Sequence, residues 1–171
     1  MSDSKDEPVI YDPQFWKERA DFAVEKGEIH WSILHAPERQ FLEHAKGSKE
    51  FLANHIHIED SVLDIGCGYG RFFDVFPEHK GPYLGIDISP DLIYHARKLH
   101  PTKQFEVADI RSFSHEPVDW VVAIGIKNMI CNYVSEESWN EIEIKYRKLA
   151  VKGLIIIFIP LSQPPYVLTP L

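Results

Sequence analysis

The sequence predicts an α/β domain built on a doubly wound, mainly parallel sheet. From Ser61 onward, short runs rich in branched apolar residues alternate with helical segments. Two of the runs, "DWVVAIG" and "GLIIIFI", are almost continuously apolar, as strands covered by helices on both faces are. Strands that alternate with helices pair in parallel through right-handed crossovers. A third observation points to a ligand. "VLDIGCGYGRF" (62–72) ends an apolar run on an acid and spills into three glycines spaced by single residues.

The first 60 residues read as a helical cap. Asp12 and Pro13 suit an N-cap and first helical position, Phe15, Trp16, Phe22 and Ala23 make an apolar stripe, and Gly27 suits the C-terminal cap. A second helical region begins near Pro37 with Phe41, Leu42 and Ala45 on one face. It is expected to break around Gly47-Ser48 and to resume through Phe51 and Leu52. In "NHIHIED" an extended piece puts His55 and His57 on one side, opposite Ile56 and Ile58. That pattern reads as a solvated face rather than a metal pair.

Five strands are expected, over residues 61–65, 82–87, 104–108, 119–125 and 153–159. Ser89-Pro90-Asp91 opens a helix that carries Leu92, Ala96 and Leu99 on one face. Ser135 opens another, with Trp139, Ile142, Tyr146 and Leu149 on one face and Glu141–Lys145 and Glu143–Arg147 as i,i+4 pairs on the other. The segments divide as a cap (1–60), a ligand-binding core (61–160) and a Pro-rich, polyproline-like tail (161–171), one domain overall. The chain stops 12 residues after the fifth expected strand, so "LIIIFI" is expected near a bare sheet edge. The tail folding back, or a homodimer through the edge between Leu154 and Ile159, would cover it.

Composition excludes several classes. No apolar run approaches the ~20 residues that span a bilayer, and the start, "MSDSKDEP", lacks the regions of a signal peptide. The expected compartment is the cytoplasm. A net charge of −8 argues against wide contact with nucleic acid. The nine histidines and two cysteines form no metal-ligand spacing, so no metal is expected.

In a doubly wound sheet, ligands bind outside the carboxyl ends of the strands, where strand order reverses. Gly66, Gly68 and Gly70 let the backbone crowd a ligand there, and the helix start at Arg71, Phe72 and Phe73 is expected to aim its dipole at an anionic group. A nicotinamide fingerprint, GxGxxG, needs glycine at position 71. Arg71 stands there, so that ligand class fails.

The pattern that is present, hydrophobic-hydrophobic-Asp-hydrophobic-Gly-x-Gly-x-Gly, resembles the first motif of the class I S-adenosylmethionine-dependent methyltransferases. Further features stand in order: Asp87 closes "YLGIDIS", Asp109 ends "VADI" beside Ile110, and "DWVVAIGI" follows. The resemblance covers about residues 61–159. It implies a Rossmann-like methyltransferase fold, C-terminally short after about five strands, and S-adenosylmethionine as cofactor. Asp87 would then take the ribose hydroxyls, with Ile88 beside it. Asp109 would take the adenine amino group. Asp64 would hold the cofactor's ammonium directly or through water, while Cys67, Gly125 and Ile110 complete the wall.

The implied reaction is in-line methyl transfer to a small-molecule acceptor. The leaving thioether is neutral, so positioning dominates and no compulsory catalytic dyad exists. Candidate acceptor contacts are His30, Trp31 and His35 in "EIHWSILH", and Asn128, Asn132 and Tyr133 in "IKNMICNYV"; of these His30, Asn128 and Tyr133 are candidates for catalysis. Related small-molecule enzymes often carry a histidine where Asn128 stands. "QPPY" (163–166) is similar to the clamp of nucleobase amino-methyltransferases, but follows the fifth strand and opens with Gln163. A cofactor-binding or partner-scaffold module without catalysis is the remaining alternative.

Overall fold

The computed structural model describes residues 12–26, 38–157 and 166–169. The elements run α1 (Pro13–Lys26), α2 (Glu38–His55), β1 (Val62–Ile65), α3 (Phe72–Val75), β2 (Tyr83–Asp87), α4 (Pro90–Leu99), β3 (Gln104–Val107), β4 (Val118–Ile124), α5 (Ile126–Tyr133), α6 (Glu136–Arg147), β5 (Ala150–Ile157) and β6 (Tyr166–Thr169). They form one sheet in the order β3-β2-β1-β4-β5-β6. Five strands are parallel, and β6 returns antiparallel to β5. The order reverses between β1 and β4, which opens a crevice at their carboxyl ends.

Alternation along each strand divides the core into two layers. Val62, Val122, Ile124, Ile155 and Ile157 face a layer with Leu52 of α2, Phe72 of α3 and Ile93 of α4. Leu63, Ile65, Val121, Ala123, Leu154 and Ile156 face Ile130 of α5 and Trp139, Ile142 and Tyr146 of α6. Both faces of the central strands are thus dry, which is why the sequence there reads as unbroken hydrophobicity. Ser89 caps α4 by accepting from Leu92 N at 3.3 Å, and Ser135 caps α6 by accepting from Ser138 N at 3.1 Å. No described helix is long and apolar enough to cross a membrane.

Several expectations are corrected. Helix α2 runs through Gly47-Ser48 without a break; Ser48 is wholly buried, and the packing of the helix outweighs the low helical propensity of the pair. His55 ends α2, with Nδ1 2.8 Å from the Phe51 carbonyl, so the extended piece through His57 is absent and Ile58 is exposed. On α1, Ala20 and Ala23 are buried while Phe22 faces outward. On α4, Leu99 is exposed and Ile93 takes its place in the core. The stretch after β4, to which the sequence reading gives no element, is a helix, α5.

At the sheet edge the tail folds back, one of the two covers expected, but its residues 166–169 do so as a strand rather than as a polyproline-like segment. Residues 166–169, in the segment read as a polyproline-like tail, form β6 and pair with Leu154–Ile157. The sheet therefore continues one strand past the expected fifth. The bare backbone row that a homodimer between Leu154 and Ile159 would have used is taken by β6 along residues 154–157.

Candidate active site

Strand β1 delivers Ile65 to a turn whose Gly66, Gly68 and Gly70 all have positive φ. At Gly68, φ is +57° and the space a Cβ would occupy is empty to 4 Å, so this turn leaves a bare hollow. Gly66 has φ +68°, and a Cβ added there would come within 2.9 Å of the Ile126 side chain of α5, so only glycine fits between the turn and the next wall. Gly70 lies behind, against His100 and Phe105, outside the wall of the cleft.

The turn's amides are mostly committed. Gly66 N and Cys67 N donate to the Ile86 carbonyl at 2.8 and 3.0 Å, Gly68 N to Asp87 Oδ2 at 2.9 Å, and Gly70 N to the Cys67 carbonyl at 3.0 Å. These four N–H groups of the turn are therefore spent on the protein itself. Helix α3 is a single turn, so its dipole is small as well. What the turn offers a ligand is space.

An open cleft of about 790 Å³, counting the solvent at its mouth, lies over the turn. Of the residues expected to bind cofactor, Gly66, Cys67, Gly68 and Arg71 line it from the turn, Asp87 and Ile88 from the end of β2, Asp109 and Ile110 from beyond β3, and Gly125 from the end of β4. Asp64 lies outside that wall, as Gly70 does. Trp16, Tyr69, Leu92, Ala108, Ile124, Ile126 and Met129 complete the lining and were not expected from sequence. Trp16 packs with Ala20, Ala23, Tyr69 and Leu92, which lays α1 across the mouth of the turn. The apolar stripe on α1 and the residue between Gly68 and Gly70 were visible; their meeting was not.

Three acids define the electrostatics. Asp87 accepts from Gly68 N and Ser89 N, each at 2.9 Å. Burial pushes its carboxyl up, against the pull of the Ser89, Gly68 and Ile88 amides. Three amides leave the carboxylate room for a further donor. Asp109 lies in the wall, but its oxygens hold Arg111: the Nε donates at 3.0 and 2.9 Å, the backbone N at 2.8 Å, and Nη2 closes the fork. Partial burial acts upward on Asp109, and the Arg111 contacts outweigh it, leaving the carboxyl below its usual value. An adenine amino group could reach Asp109 only with Arg111 displaced. Burial pushes the Cys67 thiol far up and so leaves it without nucleophilic character.

Asp64 is buried beneath the turn. Burial pushes its carboxyl up to about 7; the Tyr83 hydroxyl, donating to Oδ2 at 2.9 Å, pulls the other way, Asp87 adds to the rise and Arg71 opposes it. Its Oδ1 is buried with no hydrogen-bond partner.

The catalytic candidates are less well placed. Asn128 lies on α5 between Ile126 and Met129, which line the cleft, but is not itself in the wall. Tyr133 closes α5. His30, Trp31, His35 and residues 163–165 of "QPPY" lie outside the described residues. Among the described residues, the wall carries no histidine, lysine or glutamate, and no group of three metal-ligating side chains gathers.

Known proteins resemble this chain in sequence and in fold. Curated relatives include the dTDP-3-amino-3,4,6-trideoxy-alpha-D-glucopyranose N,N-dimethyltransferase of Streptomyces venezuelae, 36% identical over 31% of this chain and 22% of its own. Another is the trans-aconitate 2-methyltransferase of Methylobacterium nodulans, 38% identical over 33% of this chain and 22% of its own. These matches thus span about a fifth of those relatives' length. Among solved structures, phosphoethanolamine N-methyltransferase 1 of Haemonchus contortus, with phosphoethanolamine and S-adenosylhomocysteine, superposes with a TM-score of 0.65 at 18% identity over 89% of this chain and 33% of that one. A TehB-like S-adenosylmethionine-dependent methyltransferase of Corynebacterium glutamicum gives 0.57 at 18% identity over 84% of this chain and 71% of that one. The two structures share the fold. The family profile described as a methyltransferase domain matches residues 62–148, from the first residue of β1 to the end of α6. With half of its length so matched, the chain belongs to the methyltransferase domain family, whose cofactor is S-adenosylmethionine.

Proposed function

We propose that the protein is an S-adenosylmethionine-dependent methyltransferase that transfers a methyl in line to a small-molecule acceptor in the cytoplasm. The observation that carries this reading is the hollow at Gly68 with Asp87 anchored directly beside it, because a bare turn next to a carboxylate with room for a further donor suits a ribose-bearing ligand with an amino-acid arm. When bound, the cofactor supplies an electrophilic methyl on a sulfonium. Asp87 would accept from its ribose hydroxyls, and Ile88, Ala108 and Ile110, which line the cleft, would cover its base. Gly66, Cys67, Gly68 and Arg71 would surround the amino-acid arm, with Asp64 below. Trp16, Ile126 and Met129 would exclude water from the reacting end. The leaving thioether is neutral, so catalysis rests chiefly on positioning the acceptor, and His30, Asn128 and Tyr133 remain candidates for contacting it. The relatives named above act on small acceptors, which supports a small-molecule substrate here.

The test is transfer of labelled methyl from S-adenosylmethionine into fractionated small-molecule extract, with Asp87→Ala as control. Labelling by the parent and its loss in the folded variant support the reading. Equal labelling by both removes Asp87 from the site, and cofactor binding without any transfer favours a scaffold module.

A further inference from the structure

The reading of the cleft puts Asp64 below the amino-acid arm but leaves open how so buried an acid could act there. Asp64 is 1% exposed, with one oxygen held by a phenol and the other by nothing. Such a group is costly to keep buried, so its surroundings matter. On β1, Val62 and Asp64 face the layer that holds Phe72 and Tyr83; on β2, Tyr83 and Gly85 face the same layer, and Gly85 is the register partner of Asp64. A Cβ at Gly85 would lie 2.8 Å from the Tyr83 hydroxyl and 2.9 Å from Cys67 Sγ. The missing side chain is what lets Tyr83 lean along the strand and reach Asp64 beneath the turn. Tyr83 is itself held among Phe72, Phe73 and Phe105 at ring distances of 5.4, 4.6 and 5.5 Å. The phenol is thus fixed on Asp64 by packing.

Resting on the cofactor reading above, we infer that Tyr83 and Asp64 form a proton-linked clamp: binding of the ligand's ammonium ionises Asp64, Tyr83 holds the carboxylate that results, and one proton leaves to solvent. Before binding, burial and the nearby Asp87 carboxylate oppose ionisation, while Arg71 and the Tyr83 hydroxyl favour it; the Cys67 thiol stays protonated. The balance holds the carboxyl at about 7. A cation arriving at the turn tips that balance through its field, without needing direct contact. Tyr83 is a positioning residue in this scheme, acting on the ligand only through Asp64.

The experiment is calorimetry with S-adenosylhomocysteine from pH 6 to 8, in buffers of different ionisation enthalpy, with 5′-methylthioadenosine as the probe that lacks the amino-acid arm. The expected result is proton release and an affinity rising about tenfold from pH 6 to 8 for S-adenosylhomocysteine, against a flat profile for methylthioadenosine. Tyr83→Phe removes a donor that favours the ionised form, so the midpoint of the profile moves to higher pH, and Asp64→Asn flattens it. Circular dichroism confirms that each variant is folded; a purely structural role would not move the midpoint. Binding of S-adenosylhomocysteine with no proton release and no pH dependence overturns the clamp while leaving the cofactor reading intact. Binding of neither probe overturns both.

Discussion

The two ends of the sheet use the same side chain in opposite ways. At the amino end, Asp60 accepts from Lys152 Nζ at 2.6 Å, Trp120 Nε1 at 2.8 Å and His57 N at 3.1 Å. Beside it, Asp119 Oδ2 accepts from Ser61 N and Oγ at 2.9 and 2.8 Å, and Oδ1 lies 3.3 Å from Lys152. Every oxygen is occupied, and the network ties the starts of β1, β4 and β5 together. Burial acts upward on Asp60 and is outweighed by its donors, so its carboxyl lies below the usual value; Asp119 is lowered chiefly by Ser61. At the carboxyl end, burial raises Asp64 and Asp87 instead, and Asp64 keeps an oxygen with no partner. Acids with every oxygen occupied stabilise the fold, while buried acids with raised carboxyls beside a cleft are candidates for meeting a ligand.

The comparison is broken most easily at the amino end. Asp60→Ala deprives the Trp120 indole and Lys152 of a shared acceptor and should cost about 2–4 kcal/mol in urea denaturation. Affinity for S-adenosylhomocysteine should change little in the folded fraction, since the network lies at the far end of the strands. A large loss of affinity would mean that the two ends are coupled.

Asp64→Asn should act in the other direction. A carboxyl at about 7 in the fold and near 4 when unfolded makes the unfolded chain bind fewer protons between those values, so stability falls as pH rises from about 4 to 7 and stays lower above. Removing that titration should stabilise the ligand-free protein at pH 8 by roughly 1–3 kcal/mol, below the ~4 kcal/mol ceiling that the shift implies, and weaken ligand binding. A destabilised variant with unchanged affinity would make Asp64 an ordinary structural acid. The acids at the amino end give the opposite slope: their contribution is present above the unfolded value near 4 and is lost as pH falls through their lower folded values.

Lys152→Ala should have the smallest effect, because the lysine side chain is 43% exposed and solvent screens its two ion pairs. High salt should reproduce part of that loss in the parent and none of it in the variant.

Much of this architecture was legible in the residues. The five parallel strands announced themselves as apolar runs, and Ser89 and Ser135 as caps, because those signals are local. Helix α5 was missed because "IKNMICNY" follows β4 with only Gly125, at φ +80°, between them. Strand β6 was missed because four residues in a proline-rich stretch become a strand only through pairing with β5. In the site, Asp64, Asp87 and Asp109 could be found from strand ends and spacing. The Arg111 fork on Asp109, the approach of Trp16, and the path of Tyr83 over Gly85 are contacts between separate elements. No periodicity encodes them.

The central claim is that the acids and glycines at the carboxyl end serve the cofactor. It is tested most directly by calorimetric titration of the parent and Asp87→Ala with S-adenosylhomocysteine at pH 8, both verified as folded. The account predicts micromolar binding by the parent and a loss of at least about tenfold in the variant, the scale of one charge-assisted hydrogen bond. Equal affinity in the two proteins, or no binding by the parent, would contradict it.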